Sequence, residues 1–380
     1  MKKMLAERYM VHDELLFELY NLKPDTITYE LIDGVPYLVN AAKQRTFQIG
    51  FRVMLNKKLD DFVPSGTTLD MIDALYNEYT LFSIKKELLQ YSERLCLSNF
   101  EKYMMNVLLD KNLDSYKIST INLKEIEIEY RSMAMSRRYI TLNNETYERY
   151  LKAIDSLYRK ELFIKTTSTF RKSCYGVNDI NAVQRLINIS DYCFDGSHNL
   201  EISYSFGILG DILHNCKRFS TLAPSKCFKV NINQVKLNLV AMYIARQLYI
   251  ERGIRRKSIE PHFMFQLDVD KIIRFVDDPL EPISSNYNRQ RRYIEKLIAK
   301  ILCSMEKEGT IYEFLIDDKK TKDISKSKEE EEREAYFQEL NEYWGEKESK
   351  IKETTYKSFT IYISEPTWER QVEDMMNSAD

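Results

Sequence analysis

Three hundred and eighty residues at 45.2 kDa are chain enough for two or three domains, and 44% hydrophobic with 12% aromatic side chains can fill more than one core, which excludes global disorder. Lysine and arginine number 56 against 58 acidic residues, so the net charge of −2 and the pI near 6.2 exclude bulk electrostatics as a route to nucleic acid, and any basic surface is local. The longest uncharged stretches, such as Ile202 to Gly210, fall far short of the ~20 apolar residues of a membrane helix, and the start from Met1 to Arg8 has no apolar signal core, so the expectation is a soluble, cytoplasmic protein with no membrane partner.

Residues 1–90 read as an N-terminal extension. Leu5 to Tyr20 carries an amphipathic helix pattern stopped by Pro24, and a β-hairpin follows: Thr28 to Ile32 and Val35 to Val39 flank Asp33-Gly34, the dipeptide suited to two positive φ angles. Tyr29-Glu30-Leu31-Ile32-Asp33-Gly34 also resembles the opening of PD-(D/E)xK-type endonucleases, but no Pro-Asp and carboxylate-x-Lys pair follows, and the turn explains these residues. Helices are expected over Leu97 to Leu109 and Ile118 to Tyr130, then over Tyr147 to Tyr158, whose apolar stripe (Tyr147, Tyr150, Leu151, Ile154, Leu157, Tyr158) ends at Arg159-Lys160-Glu161 and runs into a strand at Leu162 to Lys165. Asn199 to Phe206 alternates as a second strand, with a turn at Gly207 and Gly210.

The same order recurs. Helices are expected over Gln234 to Glu251 and Val269 to Val276, a third carries Ile294, Leu297, Ile298, Ile301, Leu302 and Met305, and strands follow at Thr310 to Ile316 and Ser358 to Ser364. A slide of 147 positions sets Tyr147, Tyr150, Leu151 and Ile154 over Ile294, Leu297, Ile298 and Ile301. Helix, helix, helix, strand, long turn, strand is the order of a winged helix-turn-helix. The fold expected is therefore α+β, mostly α: an N-terminal helix and hairpin extension (1–90), a first winged-helix domain (91–215), a second (216–366) whose wing carries a long charged insertion (317–357), and a tail (367–380). The first wing spans roughly 167–198.

No catalytic signature is present. No glycine opens a phosphate-binding GxxxxGK[ST] loop, and the four histidines form no HxH or HExxH pair. The six cysteines have no CxxC pair and read as buried thiols, and His214 with Cys216 and Cys227 lacks a second half for zinc. No catalytic residue, metal or cofactor is assigned.

Charge is uneven. Residues 319–380 hold 11 basic and 16 acidic side chains, whereas Arg131 to Lys172 holds ten basic and four acidic. Arg289, Arg291, Arg292, Lys296 and Lys300 line the start and polar face of the last long helix. Because a helix N-terminus points into the major groove, where arginine pairs with guanine and asparagine with adenine, the DNA-binding candidates are Asn286, Asn288, Arg289, Arg291, Arg292 and Lys296, with Arg137, Arg138, Arg149 and Lys152 as their counterpart in the first copy.

Over about residues 91–365 this pattern resembles the plasmid replication initiator (Rep) proteins built from two winged-helix domains. The likeness is carried by Ser92 to Leu109 as an opening helix, Tyr147 to Ile164 as helix then strand, Leu200 to Leu213 as strand leading on, and Asn288 to Ile316 with Phe359 to Pro366 as the closing module. The resemblance implies sequence-specific double-stranded DNA binding at repeated origin sites by both modules, origin opening, a homodimer form, and a host replication initiator and helicase as partners. A tandem winged-helix transcriptional regulator has the same pattern. A nuclease using the extension and a protein-interaction scaffold without DNA are the remaining alternatives.

Overall fold

The computed structural model of the chain describes residues 8–12, 14–55, 65–68, 71, 91, 93–112, 118–123, 144–167, 180–194, 200–215, 220–224, 235–255, 262–278, 287–307, 311–318 and 357–364. Among them are seven α-helices and fourteen strands, and every strand pairing is antiparallel. The architecture is mixed α+β.

The N-terminal sheet has six strands. Strands β2 (Ile27–Ile32) and β3 (Val35–Lys43) form the expected hairpin, with Asp33 at φ 52° and Gly34 at φ 79° in its turn. Strand β4 (Phe47–Met54) pairs with β3, the short β5 (Thr67–Thr68) with β2, and β7 (Glu161–Thr166) and β8 (Asn181–Arg185) extend the far edge to give β5-β2-β3-β4-β7-β8. Alternation sends Tyr29, Leu38, Ile49, Phe51, Val53, Leu162 and Ile164 to one buried face, against helix α1 (Glu14–Tyr20). Gly50 permits the close β3–β4 approach, since a Cβ there would lie 2.2 Å from the Asn40 carbonyl oxygen.

Two three-stranded sheets follow, each preceded by helices. The first unit runs from helix α2 (Asn99–Asn112) to strand β6 (Ser119–Asn122), helix α3 (Asn144–Arg159), then β9 (Asn188–Phe194) and β10 (Leu200–Ser205), with sheet order β6-β10-β9. Only Leu186 and Ile187, both buried, separate β8 in the six-stranded sheet from β9 in this one. After helix α4 (Gly207–Asn215), whose first residue Gly207 has φ 53°, β11 (Ser220–Pro224) pairs with β1 (Arg8–His12). The second unit runs α5 (Val235–Arg255), β12 (His262–Leu267), α6 (Val269–Val276), α7 (Tyr287–Lys307), β13 (Glu313–Asp318), β14 (Lys357–Ser364), with sheet order β12-β14-β13. In both sheets the last strand is central and the earliest lies on one edge.

Several expectations are corrected. Arg8–His12 is a strand rather than helix, its register with Ser220–Pro224 satisfying both backbones. Ser119–Asn122 is likewise a strand, and 124–143 lie outside the described residues. Leu162 to Lys165 pairs with β4 and not with Leu200–Ser205, so the boundary at residue 90 cuts across one sheet. The first wing, 167–198, contains the whole of β8 and β9. Pairing of Asp318 with Lys357 shortens the second insertion to 319–356, which lies outside the described residues. Cys96 and Cys303 are buried as expected, whereas Cys193 is exposed. Tyr158, placed in the apolar stripe, is 38% exposed.

The units share one hydrophobic core and a polar junction. Phe17 of α1 stacks on Phe275 of α6 at 4.8 Å, and Asn106 of α2 donates to Asn238 Oδ1 of α5 at 3.0 Å. Lys23 donates to the Asp277 carbonyl at 2.5 Å, while the Asn99 backbone N–H donates to Asp278 Oδ2 at 2.8 Å and the Asn99 side chain to the Val276 carbonyl at 2.7 Å. Lys160 is fully buried, donating to the carbonyls of Glu93 and Cys96 and pairing with Glu101 at 3.2 Å. Lys102, also fully buried, lies 3.4 Å from Asn99 Oδ1, and burial with Lys23 nearby pulls its ammonium pKa down to about 7.

Candidate nucleic-acid interface

Helix α7 forms because its apolar residues recur at helical spacing: Ile294, Ile298, Ile301, Leu302 and Met305 are buried on one face. Arg291 lies on the same side, three and seven residues before Ile294 and Ile298, and only 4% of its side chain is exposed. Its guanidinium pairs with Asp270 of α6 and, through Nε, with Glu295 Oε1 at 3.0 Å. The same Glu295 oxygen accepts the Lys357 backbone N–H at 2.9 Å, so one carboxylate joins α7 to the first residue of β14. Burial pushes the Glu295 carboxyl pKa up, against the opposing pull of Lys357 and Arg291. Arg291, expected to read bases, is therefore a core ion-pair residue. A charge so placed is held by its partners and is withdrawn from solvent.

The opposite face is the candidate interface. Arg289 and Lys300 are exposed, Tyr293 is 45% exposed and Lys296 half-buried, and these four stand at positions i, i+4, i+7 and i+11, which fall in one row along the helix. No acidic residue occupies the row. At 1.5 Å rise per residue it is about 16 Å long, the length of roughly five base-pair steps. Arg292 flanks it, half-buried, and Gln290 is turned away, its amide donating to Asp277 Oδ1 at 3.2 Å. Asn288 lies in the first turn with only its backbone described, and Asn286 lies outside the described residues.

Helix α3 offers a different surface. Its exposed residues Glu148, Lys152, Asp155 and Arg159 have the same i, i+4, i+7, i+11 spacing, but Lys152 pairs with Glu148 at 3.8 Å and Arg159 with Asp155 at 2.9 Å. Arg149 sits with its guanidinium carbon 4.4 Å from the Phe100 ring centroid, a cation–π contact. Arg137 and Arg138 lie outside the described residues. Among the described residues of the run from Arg131 to Lys172, Lys160 is in the core junction, and Lys152 and Arg159 are ion-paired on their own helix.

The burial patterns of α3 and α7 align in a different register from the one expected. A slide of 141 positions, Glu148 onto Arg289, matches buried Tyr150, Ala153, Ile154 and Leu157 with buried Arg291, Ile294, Glu295 and Ile298, and exposed Lys152 with exposed Tyr293. The slide of 147 places exposed Lys152 and Asp155 on buried Ala299 and Leu302 and is not supported. Tyr293 was not among the residues singled out from sequence; its place four residues after Arg289 was the available signal.

Among the described residues no cluster of three or more His, Cys, Asp or Glu could hold a metal ion, and no helix is long and apolar enough to cross a membrane. Asp33 and Gly34 are accounted for by the hairpin turn. Comparison with protein-family models, with curated proteins and with solved structures returns no match.

Proposed function

We propose that the chain is a sequence-specific double-stranded DNA-binding protein that docks α7 into the major groove. The observation that carries this reading is the outward row Arg289, Tyr293, Lys296 and Lys300, three cations and an aromatic ring with no carboxylate among them, on a helix whose far side is anchored in the core. Cations so spaced meet phosphates and guanine edges, and the anchored side fixes the angle at which they are presented. A tandem winged-helix reading is supported by the order α5-β12-α6-α7-β13-β14, by its sheet order β12-β14-β13, and by the same strand order, first-last-middle, in β6-β10-β9. With that architecture and the resemblance to plasmid replication initiators, the role proposed is binding of repeated origin sites and promotion of origin opening, through a homodimer form and with a host replication initiator and helicase as partners. No catalytic step is needed, since strand opening can draw on binding energy spent in bending the duplex.

The test is titration of the full chain against fluorescent duplexes from the DNA flanking its own gene, at two salt concentrations, beside Arg289→Ala/Lys296→Ala/Lys300→Ala. Site-selective binding that weakens with salt, and that the variant loses with a salt slope lower by roughly 0.9 per lost phosphate contact, is the expected result. Binding to iterated sites with cooperativity favours initiation, and a lone operator favours transcriptional regulation. Equal binding by the variant would remove α7 from the interface.

A further inference from the structure

The outward row of α7 has one member that is not a cation. Tyr293 stands between Arg289 and Lys296 with 45% of its surface exposed, leaving part of a large ring open to solvent. Its neighbours in the row can address phosphates and the acceptor edge of guanine, and neither contact distinguishes thymine. Thymine is marked in the major groove by its 5-methyl group, which only an apolar surface reads. Under the register set by burial the matching position of α3 is Lys152, ion-paired to Glu148 at 3.8 Å, so the ring belongs to the helix with the basic row and is missing from its self-neutralised counterpart.

We propose that Tyr293 is a specificity-determining residue, its ring packing on the 5-methyl group of a thymine about two base-pair steps from the pair addressed by Arg289. This rests on the reading of α7 as the groove helix. The separation follows from four residues at 1.5 Å each, about 6 Å, against a base-pair rise of about 3.4 Å. The ring supplies the apolar contact, and its hydroxyl is not required for it.

The experiment selects duplexes from a randomised fluorescent pool with the full-length protein, then replaces each thymine of the selected duplex, one at a time, by deoxyuridine, which keeps base pairing and deletes only the methyl. Wild type is expected to lose about fourfold in affinity at one thymine, the worth of one buried methyl-sized group. Tyr293→Phe should show the same loss at the same position, whereas Tyr293→Ala and Tyr293→Lys should bind the thymine and deoxyuridine duplexes equally. Tyr293→Lys copies Lys152 and provides a second variant should the alanine form fold poorly, with circular dichroism as the check. If no thymine responds in the wild type, if Tyr293→Lys keeps the response, or if Tyr293→Phe loses it, the methyl contact is wrong while DNA binding stands. If no duplex is enriched from the pool, the groove-reading role of α7 and this proposal fail together.

Discussion

Helices α3 and α7 each lie ahead of a three-stranded sheet with the same strand order, yet their outward chemistry differs. Outward, α3 carries Glu148, Lys152, Asp155 and Arg159 in two ion pairs, and α7 carries Arg289, Tyr293, Lys296 and Lys300. Inward, α3 buries the aromatic Tyr150 where α7 buries Arg291 against Asp270 and Glu295. The outward row of α3 alternates acidic and basic side chains, whereas that of α7 holds no carboxylate, and one of the α7 arginines is held in the core. The number of arginines near a helix is therefore a poor guide; which side they emerge on decides.

The largest effect expected concerns the inward side. Arg291→Met strands Glu295 and Asp270 without their cation, and stability should fall by about 3–5 kcal/mol, read as a lowered urea midpoint. A stable Arg291→Met protein would break the contrast by showing that the arginine is not a core member. Next, Arg289→Glu/Lys296→Glu/Lys300→Glu should cost at least about 100-fold in affinity for duplex DNA at low salt, since each reversal replaces a phosphate contact by repulsion. The control on the other helix, Lys152→Ala/Arg159→Ala, should change affinity less than about threefold and stability by less than about 1 kcal/mol; a large loss there would restore α3 as a DNA surface.

A third cation sharpens the role of compensation. Lys102 is buried like Arg291, but burial holds its folded-state pKa near 7, against about 10.4 in the unfolded chain. Between these values the unfolded state binds more protons, so this lysine makes stability rise with pH from about 7 to about 10 and contributes no slope below 7, where both states are protonated. Lys102→Met should raise the melting temperature by a few degrees at pH 7 and flatten that rise, measured by thermal denaturation across the window. An unchanged slope would mean that the ammonium keeps its charge in the junction. Gly50→Ala, which forces a Cβ against the Asn40 carbonyl, should destabilise by about 1–3 kcal/mol in the same assay.

What could be read in the sequence was local. The Asp33-Gly34 turn follows from two residues that tolerate positive φ, and the bounds of α6, Val269 to Val276, follow from its stripe and from Asp268, whose side chain accepts from the Lys271 N–H as a helix cap. The apolar stripe of α7 was legible too. The rest depends on distant partners. Tyr9 and Val11 suit a helix or a strand until Ser220–Pro224 is there to pair with, and Leu162 to Ile164 would suit either sheet. His262 to Leu267 alternates, with Phe265 and Leu267 inward and Met264 and Gln266 outward, a signal present in six residues and easily passed over. Within the candidate interface the composition of α7 was visible, but Arg291 and Arg292 look alike beside Arg289 until Asp270 and Glu295 draw one of them inward.

The passage from β8 to β9 has a mechanical meaning. Because the chain leaves the six-stranded sheet at Arg185 and enters the three-stranded sheet at Asn188 with only two buried residues between, no slack separates the sheets. Tension applied to one is delivered to the other through this two-residue link, and the hydrogen bonds of both ladders resist it together. The N-terminal sheet therefore works as a brace for the first unit, and the two should yield at a single force when the chain is pulled from its ends.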